Sequence, residues 1–224
     1  MYGSLVLLVS IFISSLPIVA VYIWLRSAKY QVSTVWFLFA LLTGATAFFP
    51  ALILQEFVIF SSFTQGRAAL FFNYFIRIAL TEELSRLLML VIFFWINSQF
   101  QKEPITEISR GATAGLIAGF GFSILESARY AAGGLDISIM FLRIFTAALH
   151  GACGSRIGAA AILFRTNPVK ALLRIFTAVA IHGVYNFMVT MPGLLSIAAF
   201  LIAVSALITA ILTIRSEHTL DNTE

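Results

Sequence analysis

Thr81-Glu82-Glu83-Leu84-Ser85-Arg86 is a short acidic and basic cluster inside an apolar stretch that runs from Ala68 to Ile96. Leu70, Phe71, Phe72, Phe75, Ile76 and Ile78 precede it, and the run Leu87 to Phe94 follows. A charged side chain at bilayer depth costs at least about 2.5 kcal/mol and is normally paired and functional. On a helix Glu82 and Arg86 are i,i+4 and Glu83 and Arg86 are i,i+3, so one guanidinium reaches either carboxylate. It cannot neutralise both. A carboxylate left over in such a place suits a general base. The competing reading is an ion-pair staple between helices.

The surroundings of this cluster decide the fold class. The chain has 224 residues, 60% of them hydrophobic and 11% charged, a composition outside the range of soluble domains. We expect an all-α, polytopic transmembrane bundle in one domain, residues 1–214, with the functional core at about 68–190 and a polar cytoplasmic tail at 215–224. Seven apolar segments have the roughly 20 residues that a ~30 Å hydrocarbon core demands: Gly3–Leu25, Ser33–Leu54, Arg67–Asn97, Ser109–Tyr130, Ser138–Phe164, Val169–Thr190 and Leu194–Ile214. No Lys or Arg precedes the first segment, and its length suits a span better than a signal peptide. The third segment would be roughly 45 Å long as one helix, so either it tilts or its first part, Ala68–Arg77, is a separate piece.

Charge is read here as topology and not as a nucleic-acid footprint. Arg26, Lys29, Lys102, Arg110, Arg165, Lys170, Arg174 and Arg215 fall on one side of the seven-span arrangement, and Arg67, Arg77 and Arg129 on or near the other. The positive-inside rule then places the N-terminus outside and the C-terminus in the cytoplasm. The lone Cys153 excludes a disulfide framework or a paired-cysteine site, and packing among small residues is its expected role.

Three further polar features lie at membrane depth. Phe122 and Glu126 share one face of the fourth segment. Arg143 and His150 lie two turns apart on the fifth. His182 and Asn186 are i,i+4 on the sixth and project together. At ~1.5 Å per residue, Glu82, Glu126, His150 and His182 all fall between the mid-plane and one third of the way in from a single surface. Helices side by side would gather them into one polar cavity. Gly111, Gly115 and Gly119 repeat every fourth residue and match the small residues Gly151 to Gly158 of the fifth segment, the pattern of two backbones in close approach.

The ordered set Glu82-Glu83-x-x-Arg86, Gly119-Phe120-Gly121-Phe122-x-x-x-Glu126, Arg143 with His150, and His182-Gly183-Val184-Tyr185-Asn186 resembles the PrsW family of intramembrane proteases. That family is grouped with the CAAX prenyl endopeptidases and the Aph-type scaffold subunit of γ-secretase. The resemblance covers about Leu80 to Phe187. Arg86 stands where the usual pattern has Lys, and a guanidinium stays charged when buried, so it suits a clamp better than a proton carrier.

The resemblance implies a peptidase in a cell membrane, the bacterial plasma membrane, acting on a membrane-anchored protein such as an anti-sigma factor. Peptide hydrolysis needs a base, a group that holds water and oxyanion donors. Glu82 is then the base, Glu126 with Glu83 or His150 orients water, His182 and Asn186 are the donors, and Arg86 and Arg143 hold ion pairs. By resemblance to the CAAX endopeptidases, the carboxylates activate water with no metal and no other cofactor. The alternative is a zinc site built from Glu82, Glu126, His150 and His182. The sequence shows no His-Glu-x-x-His helix and no Gly-x-Ser-x-Gly elbow. Two non-enzymatic rivals, an Aph-like scaffold and a transporter, would predict respectively loss of the carboxylates and paired interrupted helices, and neither is seen.

Overall fold

Small residues dictate the centre of the bundle. The structure is a computed structural model that describes residues 2–28, 30, 32–58, 66–101, 105–134, 142–191 and 193–221. Among these, all regular structure is helical: α1 (Tyr2–Ser27), α2 (Thr34–Phe57), α3 (Arg67–Phe71), a π-helical segment (Phe72–Leu80), α4 (Thr81–Gln101), α5 (Ile108–Ala132), α6 (Arg143–Leu163), α7 (Pro168–Val189) and α8 (Leu194–Asp221).

α5 and α6 form the central pair. The most apolar window of α5 is 78% buried, against 33% or less in α1, α2, α7 and α8. A Cβ added to Gly115 would lie 2.0 Å from the carbonyl oxygen of Gly154, and one on Gly158 would lie 2.0 Å from that of Gly111. The two backbones touch, as the four-residue glycine spacing predicts. α2 and α4 close one side of this pair, and α1, α7 and α8 enclose the rest. The outer faces carry exposed Phe12, Phe39, Phe57, Phe176 and Leu201. Such a surface belongs in lipid, and the chain is a multi-pass membrane protein.

Five helices are long and apolar enough to cross a membrane: α1, α2, α5, α7 and α8. Seven spans were expected. The other two, α4 and α6, have 21 residues each, a length of about 31 Å. They carry Glu82, Glu83 and Arg86, and Arg143, His150 and Arg156, and these polar groups set them apart from the other five. All of them except Arg156 turn into the protein and are buried, and Arg156 is half-buried.

The observed helices settle one open alternative and revise one expectation. The third segment has no break: α3 runs through the π-helical stretch directly into α4. Thr81 ends that stretch by donating its hydroxyl to the carbonyls of Arg77 and Ile78 at 2.6 and 3.0 Å, and π geometry of this kind is often found beside functional sites. The last helix does not stop at Ile214. It continues to Asp221, held by an Arg174–Glu217 ion pair at 2.9 Å and by contact of the Tyr30 and His218 rings, tilted with centroids 4.4 Å apart. Elsewhere the ends follow local chemistry. The Ser33 hydroxyl accepts from Trp36 N–H at 3.2 Å, and the Asn167 side chain accepts from Lys170 N–H at 3.0 Å with Pro168 at the first helical position.

The glycine seam gives a direct test. Gly115→Ala drives a methyl into backbone on the facing helix and is expected to lower stability by about 2 kcal/mol or more. Gly133→Ala, whose nearest neighbour would be 3.4 Å away, is expected to leave the thermal melt of detergent-extracted protein unchanged. Equal melting of the two variants would contradict the close crossing.

Candidate metal centre

Four helices deliver the buried polar groups to one place. Glu82 and Glu83 occupy the first turn of α4, Glu126 lies late in α5, His150 in the middle of α6 and His182 on α7. Glu82, Glu83, Arg86, His150 and His182 are all buried, and Glu83, Arg86 and His150 are wholly so.

Arg86 serves the two acids unequally. Its Nη2 donates to Glu83 Oε1 at 2.6 Å and stands 3.9 Å from Glu82 Oε2. Its Nη1 donates to the His150 carbonyl at 3.2 Å, and its guanidinium lies 4.8 Å from the centre of the Phe122 ring. Glu83 is therefore the clamped acid and Glu82 the freer one. Glu82 Oε1 accepts from the Gln55 amide at 3.1 Å, and Arg77 Nε donates to the Gln55 carbonyl at 3.2 Å. Glu82 Oε2 is buried with no hydrogen-bond partner.

Each histidine stands on a carboxylate. His182 Nδ1 donates to Glu83 Oε1 at 2.7 Å, and His150 Nε2 donates to Glu126 Oε2 at 2.9 Å. A carboxylate only accepts, so these contacts put the ring proton on those nitrogens. His182 Nε2, 3.7 Å from Glu82 Oε2, and His150 Nδ1, buried without a partner, keep their lone pairs. Glu126 is in turn paired with Arg143, whose Nε donates to the Ser127 hydroxyl at 3.0 Å. The two imidazoles meet edge to face, centroids 5.0 Å apart.

One ligand atom from each of Glu82, His150 and His182 lies within 4.8 Å of the others. Two imidazoles and a carboxylate are a donor set that zinc takes. Buried lone-pair atoms left unsatisfied need an explanation, and a cation among them supplies one. Carboxylates behind metal-binding histidines are the usual outer support of such sites. The residues present fit a metal.

The sequence singled out Glu82, Glu83, Glu126, His150 and His182, and the fold brings all five together, with Arg86 and Arg143 bound to Glu83 and Glu126. Asn186 is half-buried one turn from His182 and has no hydrogen bond to the group among the described residues. Gln55 was missed. The expected second segment stopped at Leu54, and a lone amide in the last turn of an apolar helix was the available signal. From the sequence, the Glu56–Gly66 and Ala131–Ile137 loops are expected to roof an opening to this cavity; residues 59–65 and 135–137 of them lie outside the described residues.

An all-helical membrane bundle with a buried acid–histidine group defines a multi-pass membrane protein with a candidate metal centre. Residues 33–213 match the model of the PrsW family of intramembrane metalloproteases, and the chain belongs to that family. No curated protein and no solved structure matched. The family is one of metalloproteases, so together with the Glu82–His150–His182 group it gives no support to the expectation of a site without metal.

Breaking the clamp should be costly. Arg86→Met leaves Glu83 buried without its guanidinium partner, and a loss of about 3–5 kcal/mol is expected. Arg86→Lys should recover part of it. Thermal melts of purified protein measure both, and a wild-type melt for Arg86→Met would show that the pair does not hold the site.

Proposed function

We propose that this protein is a zinc-dependent endopeptidase that cuts membrane-anchored proteins near the extracytoplasmic face of a bacterial plasma membrane. The observation that carries the reading is the pair of histidines beside Glu82, each standing on a carboxylate that an arginine holds. Glu82, His150 and His182 hold the metal. When bound, zinc supplies Lewis acidity toward the scissile carbonyl and makes water acidic enough to lose a proton near neutral pH.

The chain's own groups do the rest. Glu83 fixes His182 with Nε2 toward the centre, and Arg86 holds Glu83 in place. Glu126 receives both Arg143 and His150 on Oε2, so Oε1 is left to accept a proton from water and return it to the leaving amine. Glu126 and Glu82 line one cavity with Gln55 and Tyr130, whose amide and hydroxyl offer donors to a tetrahedral oxyanion. This assignment moves the base from Glu82, as read from sequence, to Glu126, because a ligating carboxylate cannot also carry protons freely.

The cavity lies among the last turns of α2 and α5 and the start of α4. With the N-terminus outside, as the charge distribution argues, those ends face out of the cell. A substrate is then cut near or just outside the outer end of its span, as for an anti-sigma factor whose extracytoplasmic domain is shed.

Purified protein is expected to contain one zinc per chain by elemental analysis. His150→Ala, His182→Ala and Glu82→Gln should lose metal and peptidase activity together, while Glu83→Gln weakens metal affinity about 10–100-fold. Full activity after complete removal of metal would refute the assignment. Topology has its own check: a cysteine at position 133 should react with an impermeant thiol reagent from outside, and labelling from the cytoplasm would reverse the orientation.

A further inference from the structure

Two cations on the wall of the cavity have no part in the chemistry above. The cavity, about 150 Å³, sits against Glu82 and Glu126, and Arg77 and Arg129 line it. Among the described residues Arg77 bonds neutral groups, the Gln55 carbonyl at 3.2 Å and the Asn73 side-chain oxygen at 3.4 Å. Arg129, near the end of α5, is exposed and in no ion pair among the described residues. Of the two acids of the cavity, Glu126 is paired with Arg143, and Glu82 has Arg86 at 3.9 Å. Among the described residues neither Arg77 nor Arg129 is in an ion pair. A guanidinium that lines a cavity without an ion-pair partner is able to pair with an anion that enters it.

We propose that Arg77 and Arg129 form an anion-reading subsite, which selects membrane-anchored substrates carrying Asp or Glu beside the scissile bond. This rests on the peptidase reading above. The ligand is a peptide side chain because of size and place. The apolar part of the wall, Phe48, Ala51 and Leu52, leaves room for one side chain, and an anion there lies next to the groups assigned to the reaction. The arginines offset the repulsion that Glu82 and Glu126 would exert on an acidic substrate. They also disfavour Lys or Arg at the same position. Guanidinium forks suit carboxylate recognition in this role.

The test reads binding. Full-length Glu82→Gln protein in phosphatidylcholine nanodiscs is titrated with labelled single-span peptides that differ at one juxtamembrane position, carrying Asp, Asn or Lys, scanned along the segment. At one position the Asp peptide should bind about tenfold more tightly than the Asn peptide, and the Lys peptide more weakly than either. Arg129→Gln should abolish that ratio and Arg129→Lys should keep most of it. Equal binding of the three peptides throughout, or a ratio unchanged in both Arg129→Gln and Arg77→Gln, overturns the proposal. So does an Arg129→Gln variant that loses retention of phosphatidylglycerol and keeps its peptide ratio, since the subsite would then serve a lipid headgroup. A wild-type protein that binds the Asp peptide selectively and cleaves none of the panel would count against the peptidase reading and leave the subsite standing.

Discussion

The ion pair between Arg86 and Glu83 is the interaction on which the centre depends. Neither side chain is exposed, and taking both from water costs several kcal/mol per ion before any attraction is counted. The pair persists because each partner has further work. Arg86 also holds the His150 carbonyl and lies on the Phe122 ring, and Glu83 also holds His182. One guanidinium thereby ties α4 to α5, α6 and α7. The same division leaves Glu82, one residue earlier, with a buried oxygen and no partner. Two neighbouring acids, alike in sequence, differ in their partners because one cation cannot sit equally close to both.

A second pair repeats the arrangement across the site. Arg143 opens α6 and holds Glu126 of α5, which holds His150. The two histidines thus meet edge to face, each with a ring proton committed to a different carboxylate. This arrangement needs α5 and α6 to be close enough for Glu126 to reach His150, and glycine makes that possible. A Cβ added to Gly119 would fall 2.0 Å from the carbonyl of His150 itself. The packing seam and the chemical centre are therefore one feature of the bundle, and Phe122 fills the corner between Arg86 and His150.

Much of this was legible beforehand, and for identifiable reasons. Charges inside apolar segments stand out against their background, so Glu82, Glu83, Arg86, Glu126, Arg143, His150 and His182 could be found one by one. Rise per residue placed four of them at a common depth. The four-residue glycine spacing told which helices meet. Gln55 and the helical continuation past Ile214 were not legible. An amide near a helix end and a polar terminal stretch look the same whether they face water or a partner, and here the partners, Glu82 for one and Arg174 with Tyr30 for the other, come from distant parts of the chain.

Sequence by itself determined the class of fold, the central helix pair and the charged and histidine members of the centre, because each depends on local composition and on a period that a helix imposes. The tertiary structure decided the division of labour. Which acid Arg86 clamps, which nitrogen of each histidine is tied, and whether Asn186 joins the group depend on side-chain distances of a few ångströms between different helices. Helical spacing fixes the face on which a residue lies, and not how far that face stands from its neighbour. That distance is set by packing, and here it separates a set of buried charges from a site with room for a metal.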